Sequence, residues 1–218
     1  MGNKQRVLVS ELAGQSNILS KAQEMGLDFD PNNEQSRIVI DKIKDLEHQG
    51  YQFEAADASL ELLLREANGQ ISELFTFESF KMLVEKSAGK PVVSEAFVKL
   101  KINDQSVYTA AEGNGPVNAL DNALRKALIQ SFPAIQEMHL SDYKVRVLDE
   151  KEATAAKVRV LIESKNLGNT WNTVGVSGNV IEASWEALVD SMRYALLGQI
   201  GQAEELLNNE GQHGIVNH

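Results

Sequence analysis

The chain has 218 residues, of which 43% are hydrophobic and 24% charged, and it contains no cysteine. Its formal net charge of −10 at pH 7 argues against nucleic acid or an anionic membrane as a partner, because both would repel it. No apolar run approaches the roughly 18 residues of a membrane span, and without cysteine neither a disulfide nor a thiolate metal site can form. These features predict a soluble, cytoplasmic protein that binds neither nucleic acid nor membrane.

The first 70 residues have the pattern of three short helices that end at glycine. The first is predicted between residues 15 and 26, and Pro31 breaks the chain after it. The second, from about Glu34 to Gln49, carries apolar residues on one face and ends at Gly50. The third, from about Ala55 to Ala67, stops at an asparagine–glycine pair. We therefore expect residues 1–70 to form a small helical linker region.

From about Phe75 the periodicity changes to that of strands. Residues 77–85 fit a strand or a helix, and the turn cluster at 86–91 favours the strand. Residues 97–102 and 106–111 alternate on either side of Asn103-Asp104, which predicts a hairpin. A helix is then predicted from Pro116 to about Gln130, because proline is favoured at the first position of a helix.

The same order of elements returns in the second half of the chain. Strands are predicted at residues 143–148, 157–163 and 170–176, followed by a helix from Val180 to about Leu197. Each half is then a βββα unit, and the two halves make an α+β domain over residues 71–200 with helices on one side of the sheets. Residues 201–218 are polar and interrupted by glycine, which indicates a flexible tail.

An internal repeat joins the two halves. Residues 108–128 and 171–192 each run from a β-rich segment through glycine and asparagine into a helix, and Ala119 aligns with Ala183, 64 positions later. Backbone N–H groups at a helix start lack partners within the helix and can hold an anion. Neither copy contains a nucleophile–base pair or a metal cluster, so the repeat suggests binding more than catalysis.

Five stretches of the sequence resemble one enzyme superfamily. They are RVLVSELAGQSNI (6–18), GYQFEAADASLELLL (50–64), AEGNGPVNALDNAL (111–124), LSDYKVRVLD (140–149) and WNTVGVSGNVIEASWEALVDSMRY (171–194). From about residue 3 to residue 197 the chain resembles the C-terminal part of the α-isopropylmalate synthase and homocitrate synthase superfamily, and within it the citramalate synthase family.

The resemblance implies a linker followed by a LeuA-type regulatory domain, a duplicated βββα unit that forms a homodimer. It implies that this domain binds an end-product amino acid, which is isoleucine for citramalate synthases and leucine for isopropylmalate synthases, and that binding inhibits the enzyme. The implied reaction of the complete enzyme condenses acetyl-CoA with pyruvate in a TIM barrel that holds a divalent metal. Such a barrel takes about 250 residues, more than this whole chain, so we expect this part to be inactive alone and to hold no cofactor.

The glycine loops are the candidate effector site. The resemblance implies that their amides hold the effector's carboxylate, with the candidate residues Gly113, Asn114, Gly115, Pro116, Val117, Gly175, Ser177, Gly178, Asn179 and Ile181. Two other interpretations stay open from the residues alone. The glycines could only supply turns into helices, and the whole chain could be a structural dimerisation module. Trp171 and Trp185 are interpreted as anchors of the core or of a dimer contact.

Overall fold

The computed structural model describes residues 16, 18–27, 30, 33–71, 73–148 and 156–213, with side chains described up to residue 197 except at residue 35. Residues 18–24 are helical. The elements that follow are α1 (Glu34–Gln49), α2 (Asp57–Ala67), β1 (Thr76–Lys86), β2 (Val92–Ile102), β3 (Gln105–Gly113), α3 (Pro116–Leu128), β4 (His139–Val147), β5 (Val158–Asn166), β6 (Asn169–Ser177) and α4 (Val180–His213). The predicted break at Pro31 lies outside the described residues.

The predicted α+β class and the two βββα halves are confirmed. The described strands form two antiparallel three-stranded sheets, a first sheet in the order β1-β2-β3 and a second in the order β4-β5-β6. Three element ends differ most from the prediction. Strands β2 and β4 begin earlier, at Val92 and His139, and α4 continues to His213, beyond the predicted end near Leu197. No helix among the described residues is long and apolar enough to cross a bilayer.

The duplication is preserved in the strand register. Ser94 pairs with Gly113 where β2 meets β3, and Val158 pairs with Ser177 at the equivalent point of the second sheet. The first strand of each sheet also carries a bulge at the same place, after Phe77 in β1 and after Leu140 in β4. A bulge leaves one residue unpaired and increases the local twist, so the two sheets share this irregularity at the same point of the repeat.

A threonine in each half ties the last strand to the following helix. The Thr109 hydroxyl donates to the carbonyl of Ala123 at 2.8 Å, and the Thr173 hydroxyl donates to the carbonyl of Ala187 at 2.7 Å. Neither bond was predicted from the sequence, although both threonines and both alanines obey the spacing of the repeat. The two bonds therefore fix the distance between β3 and α3 and between β6 and α4.

Glycine permits the same close approach. A Cβ on Gly113 would lie 2.3 Å from the backbone nitrogen of Ala119, and one on Gly175 would lie 2.0 Å from the carbonyl oxygen of Ala183. Atoms of the helix backbone cannot retreat as a flexible side chain can. These two glycines therefore set how closely α3 and α4 pack on their sheets.

One hydrophobic core spans both halves. It combines residues that α3 and α4 bury with the inward faces of β2 and β5, among them Val98, Leu100, Leu124, Ile162 and Leu188. Trp171 and Trp185 are both buried in it, which confirms their interpretation as core anchors. The ring of Trp185 packs against Phe77 and Phe80 of β1, with the Phe77 centroid 4.7 Å away. A side chain of the second half therefore packs on a strand of the first.

The linker covers the other face of the second sheet. A separate buried cluster joins α1 and α2 to β6 through Val174 and Val176. Gly50 ends α1 with φ of +113°, and a Cβ there would lie 2.1 Å from the Leu148 side chain. Strands β5 and β6 of the second sheet are thus covered by α4 on one face and by the linker on the other.

The first sheet has no such cover among the described residues. Large hydrophobic side chains remain exposed on β1 and at the start of β2, and further ones on β4: Phe77, Leu83, Val84, Val92, Val93, Val145 and Val147. Consecutive residues such as Leu83 and Val84 point to opposite faces of a strand, so exposed apolar side chains occur on both faces of β1.

Gly175→Ala tests the close approach of β6 to α4. We expect the free energy of unfolding to fall by about 1–3 kcal/mol, because the new Cβ forces strand and helix apart. Chemical denaturation followed by circular dichroism measures it. Gly178→Ala is the matched control: its Cβ would meet no atom within 4 Å, so stability should stay the same or rise by up to about 1 kcal/mol. Equal losses in the two variants would contradict the packing role.

Candidate functional site

The first glycine loop connects β3 to α3. Gly115 lies at the position before the helix in extended conformation, and no side chain caps the helix start. The Asn114 N–H donates instead to the side-chain oxygen of Asn118 at 3.1 Å. Pro116 contributes no N–H group, and Val117 is partly buried against the core. The first turn of α3 therefore offers backbone donors that no side chain of the loop uses.

The second loop connects β6 to α4 and is capped by its own side chains. The Asn179 N–H donates to the Ser177 hydroxyl oxygen at 3.0 Å, and the Ile181 N–H donates to the Asn179 side-chain oxygen at 2.8 Å. The Ser177 hydroxyl in turn donates to Glu182 at 2.5 Å. Asn179 is thus a helix cap, and Gly178 lies exposed at the tip of the loop.

The structure brings candidate residues together within each loop. Among the described residues, no hydrogen bond joins one loop to the other. Gly175 is buried beneath the start of α4, whereas Asn114, Gly178 and Asn179 are exposed. The two loops differ in their free donors. A ligand carboxylate at the start of α3 would meet backbone amides that no side chain uses. A carboxylate at the start of α4 would first have to displace the side-chain oxygens of Ser177 and Asn179 from the amides they accept from.

A set of polar contacts that the sequence analysis missed joins the linker to α4; we name it the linker seam. The Tyr51 hydroxyl donates to Glu186 at 2.8 Å. The Ser59 hydroxyl donates to Asp190 at 2.7 Å. The Tyr194 hydroxyl donates to Glu61 at 3.1 Å, and Arg193 pairs with Glu66. The four α4 residues recur at helical spacing and so share one face of the helix.

The linker seam also satisfies the open edge of β6. The Val174 N–H donates to the Ser59 hydroxyl oxygen at 3.1 Å, and the Val176 N–H donates to Glu186 at 3.0 Å. The Asn172 N–H points toward Asp57 at 3.4 Å. Alternate residues of an edge strand direct their N–H groups away from the sheet, and a buried N–H without an acceptor is costly. Linker and helix side chains thus replace a neighbouring strand.

Asp190 is the electrostatically unusual group of the seam. Burial raises its pKa from 3.8 to about 6, while the Ser59 hydrogen bond and Arg193 act in the opposite direction. Glu66 and Glu186 raise it further through charge repulsion. Burial, reinforced by hydrogen bonding to Glu186, also raises the pKa of the Tyr51 phenol. The Tyr51 phenol thus stays the donor of its hydrogen bond to Glu186.

Comparison with known proteins gives the class of this domain. Residues 54–196 match the family described as the LeuA allosteric (dimerisation) domain. That match spans more than half of the chain, and it includes both βββα halves and helix α2 of the linker. The chain belongs to the LeuA allosteric (dimerisation) domain family.

Individual relatives indicate which kind of enzyme carries this domain. The chain is 49% identical over 198 residues to an (R)-citramalate synthase of Aquifex aeolicus, and 50% identical over 200 residues to one of Synechocystis. It is 25% identical over 198 residues to a 2-isopropylmalate synthase of Ruminiclostridium cellulolyticum. These alignments cover 90%, 90% and 91% of this chain but only 38%, 37% and 35% of the relatives. The chain is a regulatory dimerisation domain of the citramalate synthase type and spans well under half the length of those relatives.

Asp190→Asn tests the charge in the seam. Because the folded-state pKa is raised above 3.8, the folded chain binds more protons than the unfolded chain, and this group makes stability fall as pH rises from about 4 to 6. We expect the variant to be about 1–3 kcal/mol more stable than the parent at pH 7.5 and equal to it near pH 4.

Urea denaturation across this pH range measures the difference. Asp142→Asn is the control with the opposite sign, since the hydrogen bond to Lys144 lowers the pKa of that exposed carboxyl, and the variant should not gain stability at pH 7.5. A loss of stability in Asp190→Asn at pH 7.5 would contradict the assignment.

Proposed function

We propose that this chain is the C-terminal regulatory part of a citramalate synthase, and that it binds the end product isoleucine to inhibit the enzyme. The match of residues 54–196 to an allosteric domain family carries the proposal, and the relatives named (R)-citramalate synthase supply the reaction. The complete enzyme would condense acetyl-CoA with pyruvate. Its barrel would hold the divalent metal, and the part described here would be inactive alone and free of cofactor.

The proposed binding site is formed by the two glycine loops. An amino acid needs donors for its carboxylate, an acceptor for its ammonium group and an apolar wall. The uncapped start of α3 supplies donors, and the exposed side chains of Asn114 and Asn179 supply acceptors. Val117 and Ile181 are partly buried beside the loops and supply apolar surface.

The route from this site to the rest of an enzyme would run along α4. The second loop ends at Ile181, and Glu186 of the linker seam lies little more than one helical turn further on. An effector that shifts the first turn of α4 changes the geometry in which Glu186 accepts from both Tyr51 and β6. A ligand that binds one arrangement better shifts the equilibrium toward it, with a coupling of about 1–3 kcal/mol in typical systems.

Calorimetric titration with isoleucine, leucine and valine tests the sensor. We expect isoleucine to bind most tightly and leucine about 5- to 150-fold more weakly, since hydrophobic pockets separate such isomers by roughly 1–3 kcal/mol. Tighter binding of leucine would assign the domain to an isopropylmalate synthase-like enzyme. No heat with any of the three on folded protein would refute the sensor function.

Two loop variants locate the site within the same titration. Gly115→Leu and Gly178→Leu each place a side chain in space that is empty within 4 Å of the built Cβ, so both should fold. We expect each to weaken isoleucine binding by at least about tenfold through steric exclusion. If neither variant changes the affinity, the loops are not the site, while an isoleucine response of the parent would still support the sensor.

A structural dimerisation module is the second candidate function. The side chains that already cap the second loop and the exposed hydrophobic residues of β1, β2 and β4 favour it. Light scattering of the 218-residue protein should give a homodimer under either function. Thermal melting distinguishes the two functions. If no branched-chain amino acid changes the melting temperature of the dimer, the domain is a scaffold, whereas the melting temperature of a sensor rises when its ligand is added.

A further inference from the structure

A cleft of about 460 Å³ opens beside the linker at one end of the second sheet, lined by Gln52, Arg146, Val147, Leu148 and Arg159. It opens at the end of the sheet where β6 runs into the second glycine loop, since Arg159 is directly opposite Val176, but none of its lining residues belongs to the candidate effector site. Two of its five lining residues are arginines, although the chain has a formal net charge of −10. The lining therefore concentrates positive charge where the chain as a whole is acidic.

The two arginines face the same side of the sheet. Arg146 of β4 and Arg159 of β5 are direct cross-strand partners. Like charges in directly opposite positions destabilise a sheet, and burial together with Arg146 lowers the pKa of Arg159. Neither effect helps folding, so the pair calls for a different explanation.

One member of the pair is fixed and the other is unpartnered. The Arg159 guanidinium donates to the Gly50 carbonyl and, at 2.8 Å, to the side-chain oxygen of Gln52. Arg146 is exposed and makes no hydrogen bond or ion pair with another described residue. By contrast Lys144, two positions earlier on the same strand, is paired with Asp142 at 2.5 Å.

The duplication supplies an internal comparison. The equivalent cross-strand pair of the first sheet is Leu83 opposite Glu95. The same fold position thus accepts an aliphatic residue beside a carboxylate, and neither the register nor the bulge requires an arginine there. The paired arginines are a property of the second half alone, the half that the linker covers.

We propose that Arg146, Arg159 and Gln52 form a binding site for a small, multiply charged anion that carries phosphate or carboxylate oxygens. Guanidinium groups present planar pairs of donors that fit such oxygens, and the linker holds one of them in place. With its oxygen engaged by Arg159, the Gln52 side chain has its nitrogen left to donate. The ligand would bridge the two arginines and remove the repulsion between them.

Calorimetric titration of the full chain with inorganic pyrophosphate and, separately, with 2-methylmalate tests the site at low ionic strength. We expect at least one of them to bind, and binding to weaken when NaCl is raised to about 0.5 M. Binding of pyrophosphate alone identifies a phosphate ligand, and binding of 2-methylmalate alone identifies a dicarboxylate. No binding of either anion refutes the proposal.

Arg146→Gln should weaken binding by at least about tenfold, because it removes one of the two guanidinium groups. Lys144→Gln is the matched control: it removes the same charge from the same face of β4 and should change the affinity less than about twofold. Arg159→Lys keeps the charge but loses the planar pair of donors, and it should also weaken binding. Equal losses in Arg146→Gln and Lys144→Gln would show diffuse attraction and overturn the site. Isoleucine affinity should be the same in all three variants, so this result stands apart from the proposed effector site.

Discussion

The open edge of β6 is the constraint on which the arrangement of linker and helix depends. Its outward N–H groups at Val174 and Val176 are buried, and a buried donor without an acceptor costs about as much as a lost hydrogen bond. Ser59 from the linker and Glu186 from α4 supply the acceptors. The same two side chains also bond across to Asp190 and Tyr51. Strand, helix and linker are therefore locked by one shared set of oxygens, and none of the three can shift without leaving a polar group unsatisfied.

At the corresponding positions of the first half, side chains of α3 donate hydrogen bonds to the edge strand instead of accepting them. There the Asn122 side chain donates to the carbonyl of Glu112, and Lys126 donates to that of Ala110. Asn122 and Lys126 occupy the positions of the repeat that Glu186 and Asp190 hold in α4. Donors in one copy have become acceptors in the other. The two carboxylates of the second half accept from the hydroxyl groups of Tyr51 and Ser59, which gives a physical reason why the linker packs there.

The sequence predicts those features whose cause is local. Gly26, Gly50 and Gly69 end their helices with positive φ, and Asn103 and Asp104 turn the first hairpin with φ of +48° and +63°; each conformation follows from residue type. The early start of β2 was missed because Val92 and Val93 follow a turn cluster without alternation. The candidate residues of the glycine loops were identifiable from the repeat. The structure adds that the Ile181 N–H donates to the Asn179 side chain, whereas no side chain caps the start of α3. The linker seam was not predictable, since Ser59 and Asp190 are 131 positions apart and nothing near either residue indicates the partner.

That separation has a kinetic meaning. Each βββα half is built from hairpins and a strand–helix unit whose partners are close in sequence, so either can form at a small cost in chain entropy. The Ser59–Asp190 and Tyr51–Glu186 contacts close loops of 131 and 135 positions, and contacts of long range form late in folding. They join the linker to the second half together with the buried cluster around Val174 and Val176. The linker should therefore dock onto β6 and α4 after each sheet has formed its own hairpins, so the longest-range joint of the chain is also the last to close.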